Sequence, residues 1–324
     1  MVSAKKAGAK AKPGSRGEKK DIRKTLRYFL NNWDLYLMLL FPMVYIVIFK
    51  YVPMVGVQMA FRDYNVFQGM WASPWVGLKH FQTFFSSSEF GRLISNTLTL
   101  SIYGLVAGLI FPIILALVLN YLQNLRFKKI VQTITYAPYF ISTTVMVSIL
   151  MNLLAVDFGP VNMTLKSMGL EQIQFMSDPG LFKHVYVWSG VWQFTGYNAI
   201  IYIATLSSVD PTLHEAAIID GASKIRRVWS IDLPSIKSTI IILMIMNMGS
   251  VLTTGFEKIY LMQNSLNMSA SEVIDTYVYK IGLASPIANY SYPTAIGLFQ
   301  SLIGMVLIIG TNVLAKKVGE ESLW

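Results

Sequence analysis

The sequence predicts an all-α integral membrane protein with six transmembrane helices. Three observations carry that expectation. Hydrophobic residues make up 54% of the 324 and charged residues only 14%, with mean hydropathy +0.49, too apolar for an ordinary soluble domain. Six apolar segments are each long enough to cross a hydrocarbon core, which takes ~20 helical residues. Lysine and arginine, finally, gather in alternate connections between those segments.

The elements follow in order. Residues 1–30 are polar and basic, with Lys5, Lys6, Lys10, Lys12, Arg16, Lys19, Lys20, Arg23, Lys24 and Arg27, and read as a disordered leader that marks the inner side. A nucleic-acid arm is the sharper alternative and a cleaved signal peptide is excluded, because a long apolar stretch follows without a small-residue cleavage site. Span one covers 35–59; Pro42, Lys50 and Pro53 predict a kink or an exit from the bilayer near Lys50. Residues 60–95 form a polar, aromatic loop in which Trp71, Trp75, Phe81, Phe84 and Phe85 suit a membrane interface.

Span two, 96–122, carries Gly104, Gly108 and Pro112 and so has close-packing faces. A short basic turn leads to span three, 130–155, with Pro138 inside it. The segment 156–183 is rich in turn residues. Span four, 184–206, is decorated with Trp188, Trp192, Gln193, Tyr197, Asn198 and Tyr202. Span five, 236–262, contains Asn247 and Glu257; span six, 293–314, contains Gln300. No internal repeat is evident. The chain therefore reads as one six-span domain, 31–324, with its core at about 92–316 and no separate soluble domain.

With the N-terminus inside, inner segments hold nineteen Lys and Arg and outer loops six. That positive-inside bias places both termini and the loop 208–234 on the cytoplasmic side of a multi-pass membrane protein. It also accounts for the net charge of +10 without nucleic acid as a partner.

The loop 208–234 is the most structured connection. Asp210 can cap a helix beginning at Pro211, since proline suits the first turn. Ala216, Ala217, Gly221 and Ala222 form a small-residue cluster, and Gly221 permits a sharp turn. Ser223 can cap a second short helix, which Leu233-Pro234 is expected to end. Two short helices with a close-approach surface suit a docking plug for another protein. An amphipathic connector lying on the membrane fits the spacing equally well.

Chemistry is sparse. No Gly-x-x-x-x-Gly-Lys-Ser/Thr run is present, so ATP and its Mg are expected in a partner, and the chain itself is not an enzyme. His214-Glu215 opens like a zinc-protease motif, but Ile218 occupies the second ligand position. With three histidines and no cysteine, metal and thiol sites are not expected. Glu257 and Lys258, being adjacent, read as an interfacial pair rather than a proton relay. The amides and aromatics of span four either bind helix to helix or line a path for solute; as a cluster, Trp188, Trp192, Gln193, Tyr197 and Asn198 favour the path, since aromatic planes stack on sugar rings while amides bond their hydroxyls. Asn247 and Gln300 are single candidates for the same path.

Glu215-Ala216-Ala217, Asp220-Gly221-Ala222 and Ile231-Asp232-Leu233-Pro234 resemble the "EAA" loop of membrane subunits of binding-protein-dependent ABC importers. Phe49-Lys-Tyr-Val-Pro-Met54, Ala60-Phe-Arg-Asp-Tyr-Asn65, Ser73-Pro-Trp-Val-Gly-Leu-Lys79, Arg126-Phe-Lys-Lys-Ile-Val-Gln-Thr-Ile-Thr-Tyr136 and Val191-Trp-Gln-Phe194 are similar to the LplB-like, polysaccharide type of carbohydrate permease, over nearly all of the chain after residue 30. Length and basic leader resemble the larger membrane subunits of sphingomonad alginate importers. The resemblance implies a type I importer permease of MetI-like architecture. It also implies an oligosaccharide substrate, acidic fragments of alginate or pectin among them. The partners it implies are a second homologous permease, a dimeric ATPase and an extracytoplasmic solute-binding protein. By the same resemblance Glu215, Ala216, Ala217, Asp220, Gly221, Ala222, Leu233 and Pro234 engage the ATPase. A membrane scaffold that binds a partner through this loop without moving solute is the alternative.

Overall fold

A chain crossing lipid must satisfy its backbone groups internally, which a helix does. The computed structural model describes residues 31–286, 289–317 and 323, and these are helical with short connections; a lone bridge between Arg62 and Trp75 is the sole β feature among them. The basic leader expected at 1–30 lies outside the described residues. The described residues fall into two units, divided between Gly56 and Val57.

The described part of the first unit is one helical run. Helix α1, Trp33–Ile46, holds Pro42 within it and has no buried residue. It widens into a π turn at Val47–Tyr51, where the Val52 N–H reaches the Val47 carbonyl. A 3-10 stretch, Val52–Phe61, follows. The helix thus changes pitch at Lys50 rather than ending there: the extra residue in the π turn makes room for the Pro53 ring.

The second unit contains α2 (Lys79–Phe85), α3 (Phe90–Asn120), α4 (Leu125–Tyr136), α5 (Thr143–Leu153), α6 (Pro160–Ser167), α7 (Pro179–Ser207), α8 (Pro211–Ile219), α9 (Lys224–Arg227), α10 (Leu233–Met248), α11 (Phe256–Met262), α12 (Ile274–Gly282) and α13 (Ser291–Lys317). Among the described residues, four helical runs are long and apolar enough to cross a membrane: Trp33–Phe61, Phe90–Asn120, Lys224–Met248 and Ser291–Lys317. The bent pair Leu125–Phe140 and Thr143–Leu153 counts as a fifth when taken as one broken span. Helix α7, with 29 residues, has the length for a sixth and is more polar, as its decoration requires. The all-α, six-span expectation therefore holds.

Helices α3 and α7 form the most extensive pair, and α10 closes against both. One buried cluster joins Ala116, Ala199, Tyr202, Leu206 and Ile236 of these three helices; another centres on Leu100, Val147, Phe182 and Ile259.

Three expectations need correction. Span three is not a single helix over 130–155 but two helices. Pro138 sits in a 3-10 turn, Ile141 is extended, Ser142 caps α5, and the two halves meet at 101°. Span five is not continuous over 236–262. Helix α10 ends at Met248, and an irregular Gly249–Gly255 stretch separates it from α11. Finally, Leu233-Pro234 does not end the second loop helix. A π turn, Val228–Asp232, joins α9 to α10, with the Leu233 N–H on the Val228 carbonyl, and its wider pitch accommodates Pro234 at the start of α10. The same device carries the chain past Pro53.

Candidate functional site

The loop between α7 and α10 is built as its residues dictate. Asp210 is extended and its carboxylate accepts the Thr212 N–H at 2.9 Å, starting α8 with Pro211 in the first turn. That N–H holds the Asp210 carboxyl below the usual carboxylate range. Gly221, at φ +74°, ends α8 in a Schellman motif: the Ala222 N–H reaches the Ala217 carbonyl at 2.8 Å and the Gly221 N–H the Ile218 carbonyl at 3.0 Å. Ser223 then accepts the Arg226 N–H and opens α9.

Glu215, Ala216, Asp220, Gly221 and Pro234 are exposed; Ala217, Ala222 and Leu233 are half-buried. Around them, apolar side chains stand out from the surface, with Ile219 85% and Trp229 70% exposed beside Leu213, Ile218 and Ile225. In a connection otherwise made of charges and caps, such a group is unsatisfied surface.

Beneath this surface lies a polar node. Asp232 in the π turn is fully buried. Its Oδ2 accepts the Tyr121 hydroxyl at 2.7 Å, its Oδ1 accepts from Asn120 Nδ2 at 3.4 Å, and His214 Nε2 stands 3.5 Å from Oδ1. The Arg227 guanidinium lies 5.4 Å over the Tyr121 ring. Three elements thus meet at one carboxylate: the end of α3, helix α8 and the start of α10. In the sequence His214 stands out only as an incomplete zinc ligand, and Asp232 only within the Ile-Asp-Leu-Pro run. The available signal was the carboxylate itself, because an ionisable group at a span's edge needs partners.

A cavity of about 1080 Å³ opens among α3, α7, α10 and the start of α11. Of the path candidates, Gln193, Tyr197, Asn198 and Asn247 line it; Trp188, Trp192 and Gln300 do not. Helical geometry explains the tryptophans. Gly190 is on the cavity wall, and residues two before and two after it lie about 200° round the helix. Trp188 instead meets Phe111 edge-on at 5.0 Å. Gln300 is committed elsewhere, donating to the Leu252 carbonyl at 2.9 Å and to Asp275 at 3.0 Å.

The four lining residues differ in role. Gln193, 4% exposed, donates to the Ile141 carbonyl at 2.9 Å, the group freed by the break in span three. Tyr197 stacks on Tyr139 with ring centroids 3.6 Å apart. Asn247 donates to Leu243 within its own helix at 2.8 Å. Asn198 is exposed to the cavity. Glu257 and Lys258, read from sequence as an interfacial pair, both line the wall instead, since the chain breaks before α11 and turns them inward. Lys258, 8% exposed, donates to the Tyr186 carbonyl at 2.9 Å and lies 4.9 Å over that ring. Glu257 is exposed and meets Thr144 at 3.4 Å.

Comparison with known proteins matches this arrangement. The family model described as "Binding-protein-dependent transport system inner membrane component" fits residues 108–320. Protein LplB of Bacillus subtilis (strain 168) is 46% identical over 290 residues, covering 90% of this chain and 91% of LplB. The polygalacturonan/rhamnogalacturonan transport system permease protein YteP of the same organism is 43% identical, covering 94% of this chain and 95% of YteP. A chain in the crystal structure of the bacterial alginate ABC transporter in complex with alginate pentasaccharide-bound periplasmic protein superposes with a TM-score of 0.84 at 35% identity, covering 92% of this chain and 99% of that one. With its six spans, its inward-facing amides and the loop between α7 and α10, this chain belongs to the inner membrane components of binding-protein-dependent transport systems.

Proposed function

We propose that the chain is a permease subunit of an ATP-driven importer for acidic oligosaccharides. It forms part of the solute path and takes its drive from a separate ATPase that docks on α8. The observation that carries the docking is the exposed apolar set of Leu213, Ile218 and Ile219 on the short, doubly capped α8 that bears Glu215, Ala216 and Ala217, with Ile225 on α9 and Trp229 in the π turn that follows. The lysine and arginine bias favours the cytoplasmic side for this loop and for both termini. A second, homologous permease would complete the path. A solute-binding protein would deliver substrate from the other side, as the periplasmic protein does in the alginate transporter.

Two considerations favour an acidic sugar. Polygalacturonan and alginate, in the descriptions of YteP and the alginate transporter, are polymers of uronic acids. Lys258 lines the cavity wall largely buried, its ammonium on the Tyr186 carbonyl and, among the described residues, on no carboxylate, so that it would have to turn from Tyr186 to meet a passing uronate. ATP and Mg belong to the ATPase.

The test is co-purification followed by reconstitution with the second permease, ATPase and binding protein in liposomes. Polar replacements at Ile219 and Trp229 remove roughly 1.5–3 kcal/mol of apolar burial each on docking. The double variant Ile219→Asp, Trp229→Ser is expected to lose the ATPase while still inserting. Full retention of the ATPase would refute the docking. Oligogalacturonides are expected to stimulate ATP hydrolysis more than neutral maltooligosaccharides, with Lys258→Met erasing the preference. Equal stimulation by both would refute the acidic class.

A further inference from the structure

We infer that Asp232 is a positioning residue for coupling, joining the ATPase-facing helix α8 to the inner ends of two spans so that the three move as one body. The inference rests on the docking proposed for α8. Its own ground is the geometry of the node. A carboxylate with no exposure is costly to leave unpaired in a low-dielectric site. Asp232 accepts from Tyr121 and Asn120 at the end of α3 and stands within ion-pair distance, 3.5 Å, of His214 on α8. It is itself rooted in the π turn that starts α10. Separating any of these elements would leave the charge buried and short of a partner. Motion imposed on α8 therefore carries α3 and α10 with it.

The arrangement also explains where His214 stands. It immediately precedes the Glu215-Ala216-Ala217 run, on a helix whose other side chains at 215, 216, 218 and 219 are exposed. It is half-buried, and its ring meets the Tyr121 ring edge-on at 6.4 Å. Arg227, over the other partner of the carboxylate, ties in α9 as well. A histidine and an aspartate 18 positions apart, with a tyrosine 111 positions upstream, form one contact set that no linear motif displays.

The experiment uses the full complex in liposomes with the binding protein and oligogalacturonides as probe. Asp232→Asn should leave insertion, ATPase retention and basal hydrolysis within about twofold of wild type while cutting substrate-stimulated hydrolysis about tenfold, in line with ordinary coupling energies. His214→Ala should fall similarly. His214→Gln, which keeps a donor near Nε2, should recover most of the stimulation. The double variant Asp232→Asn, His214→Ala should be no worse than either single one.

A second readout needs no substrate. The chain has no cysteine, so spin labels at Thr212→Cys and Gln123→Cys report alone, given cysteine-free partners. Their separation should stay constant between nucleotide-free and vanadate-trapped complexes in wild type and broaden in Asp232→Asn. Unchanged stimulation in Asp232→Asn, a parallel fall of basal and stimulated rates, or a wild-type separation that changes on trapping would overturn the inference. A wild-type chain that retains no ATPase would instead overturn the docking on which it rests.

Discussion

Gln193 Nε2 donates to the Ile141 carbonyl at 2.9 Å, across 52 residues of chain, and so closes the gap left where span three bends. The bend frees backbone groups that lipid cannot satisfy. A glutamine on α7 satisfies one of them. This residue lines the cavity, yet its amide is already spent on structure. Gln193→Leu should therefore lower the stability of the purified chain in detergent, by about 0.5–2 kcal/mol given measured hydrogen bonds inside membrane proteins. Asn198→Ala, altering a side chain exposed to the cavity, should leave melting nearly unchanged and reduce oligosaccharide-stimulated hydrolysis instead. Identical melting shifts in both would contradict this division of roles.

Gly196 marks the same junction from the other side. A Cβ placed there would stand 2.0 Å from the Thr135 carbonyl oxygen, so α7 and α4 touch backbone to backbone. Gly196→Ala must push the helices apart, an overpacking cost of about 1–3 kcal/mol. Thermal unfolding of the micellar protein measures it. A substitution without effect would mean that the two helices do not approach so closely.

Gly221 is different in kind. Nothing lies within 4 Å of a Cβ built on it, but its φ of +74° is a backbone state that side chains resist. Gly221→Val should therefore loosen α8 at its C-terminus without crowding anything, at a cost of about 1–2 kcal/mol confined to the loop. Membrane insertion is expected to persist while uptake in liposomes falls. Wild-type uptake would remove the turn from the coupling path.

The Asp210 cap adds a pH dependence. Its folded pKa is lowered by the bond from the Thr212 N–H, so the contribution is present above the ordinary carboxylate range and lost as pH falls through the folded value. Hydrogen exchange at the first turn of α8 should accordingly quicken on acidification, relative to the intrinsic rate, in wild type. Asp210→Asn, which keeps a capping oxygen without the charge, should abolish that trend. An acid response surviving in the asparagine variant would assign it to another group.

Trp192 provides a negative control. It lies on the side of α7 away from the cavity and is 54% exposed. Trp192→Phe should leave stimulated hydrolysis unaltered where Asn198→Ala lowers it. The reverse order would return Trp192 to the solute path.

The sequence by itself determined the number and order of the spans, because apolar length and the polar decoration of α7 are properties of consecutive residues. It also determined the loop of α8, whose Asp210, Gly221 and Ser223 act on neighbours two to five positions away. Local chemistry suffices for a cap or a turn. Other features were legible only in part. The prolines at 53, 138 and 234 were visible, but whether each ends a helix, bends it or is absorbed by a π turn depends on what receives the freed carbonyl, and Gln193 lies too far along the chain to be read as that partner. Only the tertiary structure decided which face of α7 meets the cavity, that Lys258 joins its wall, and that Asp232 draws Tyr121 and His214 together. Those outcomes come from burying charge and packing backbone among helices distant in sequence, where no spacing rule records who the neighbour will be.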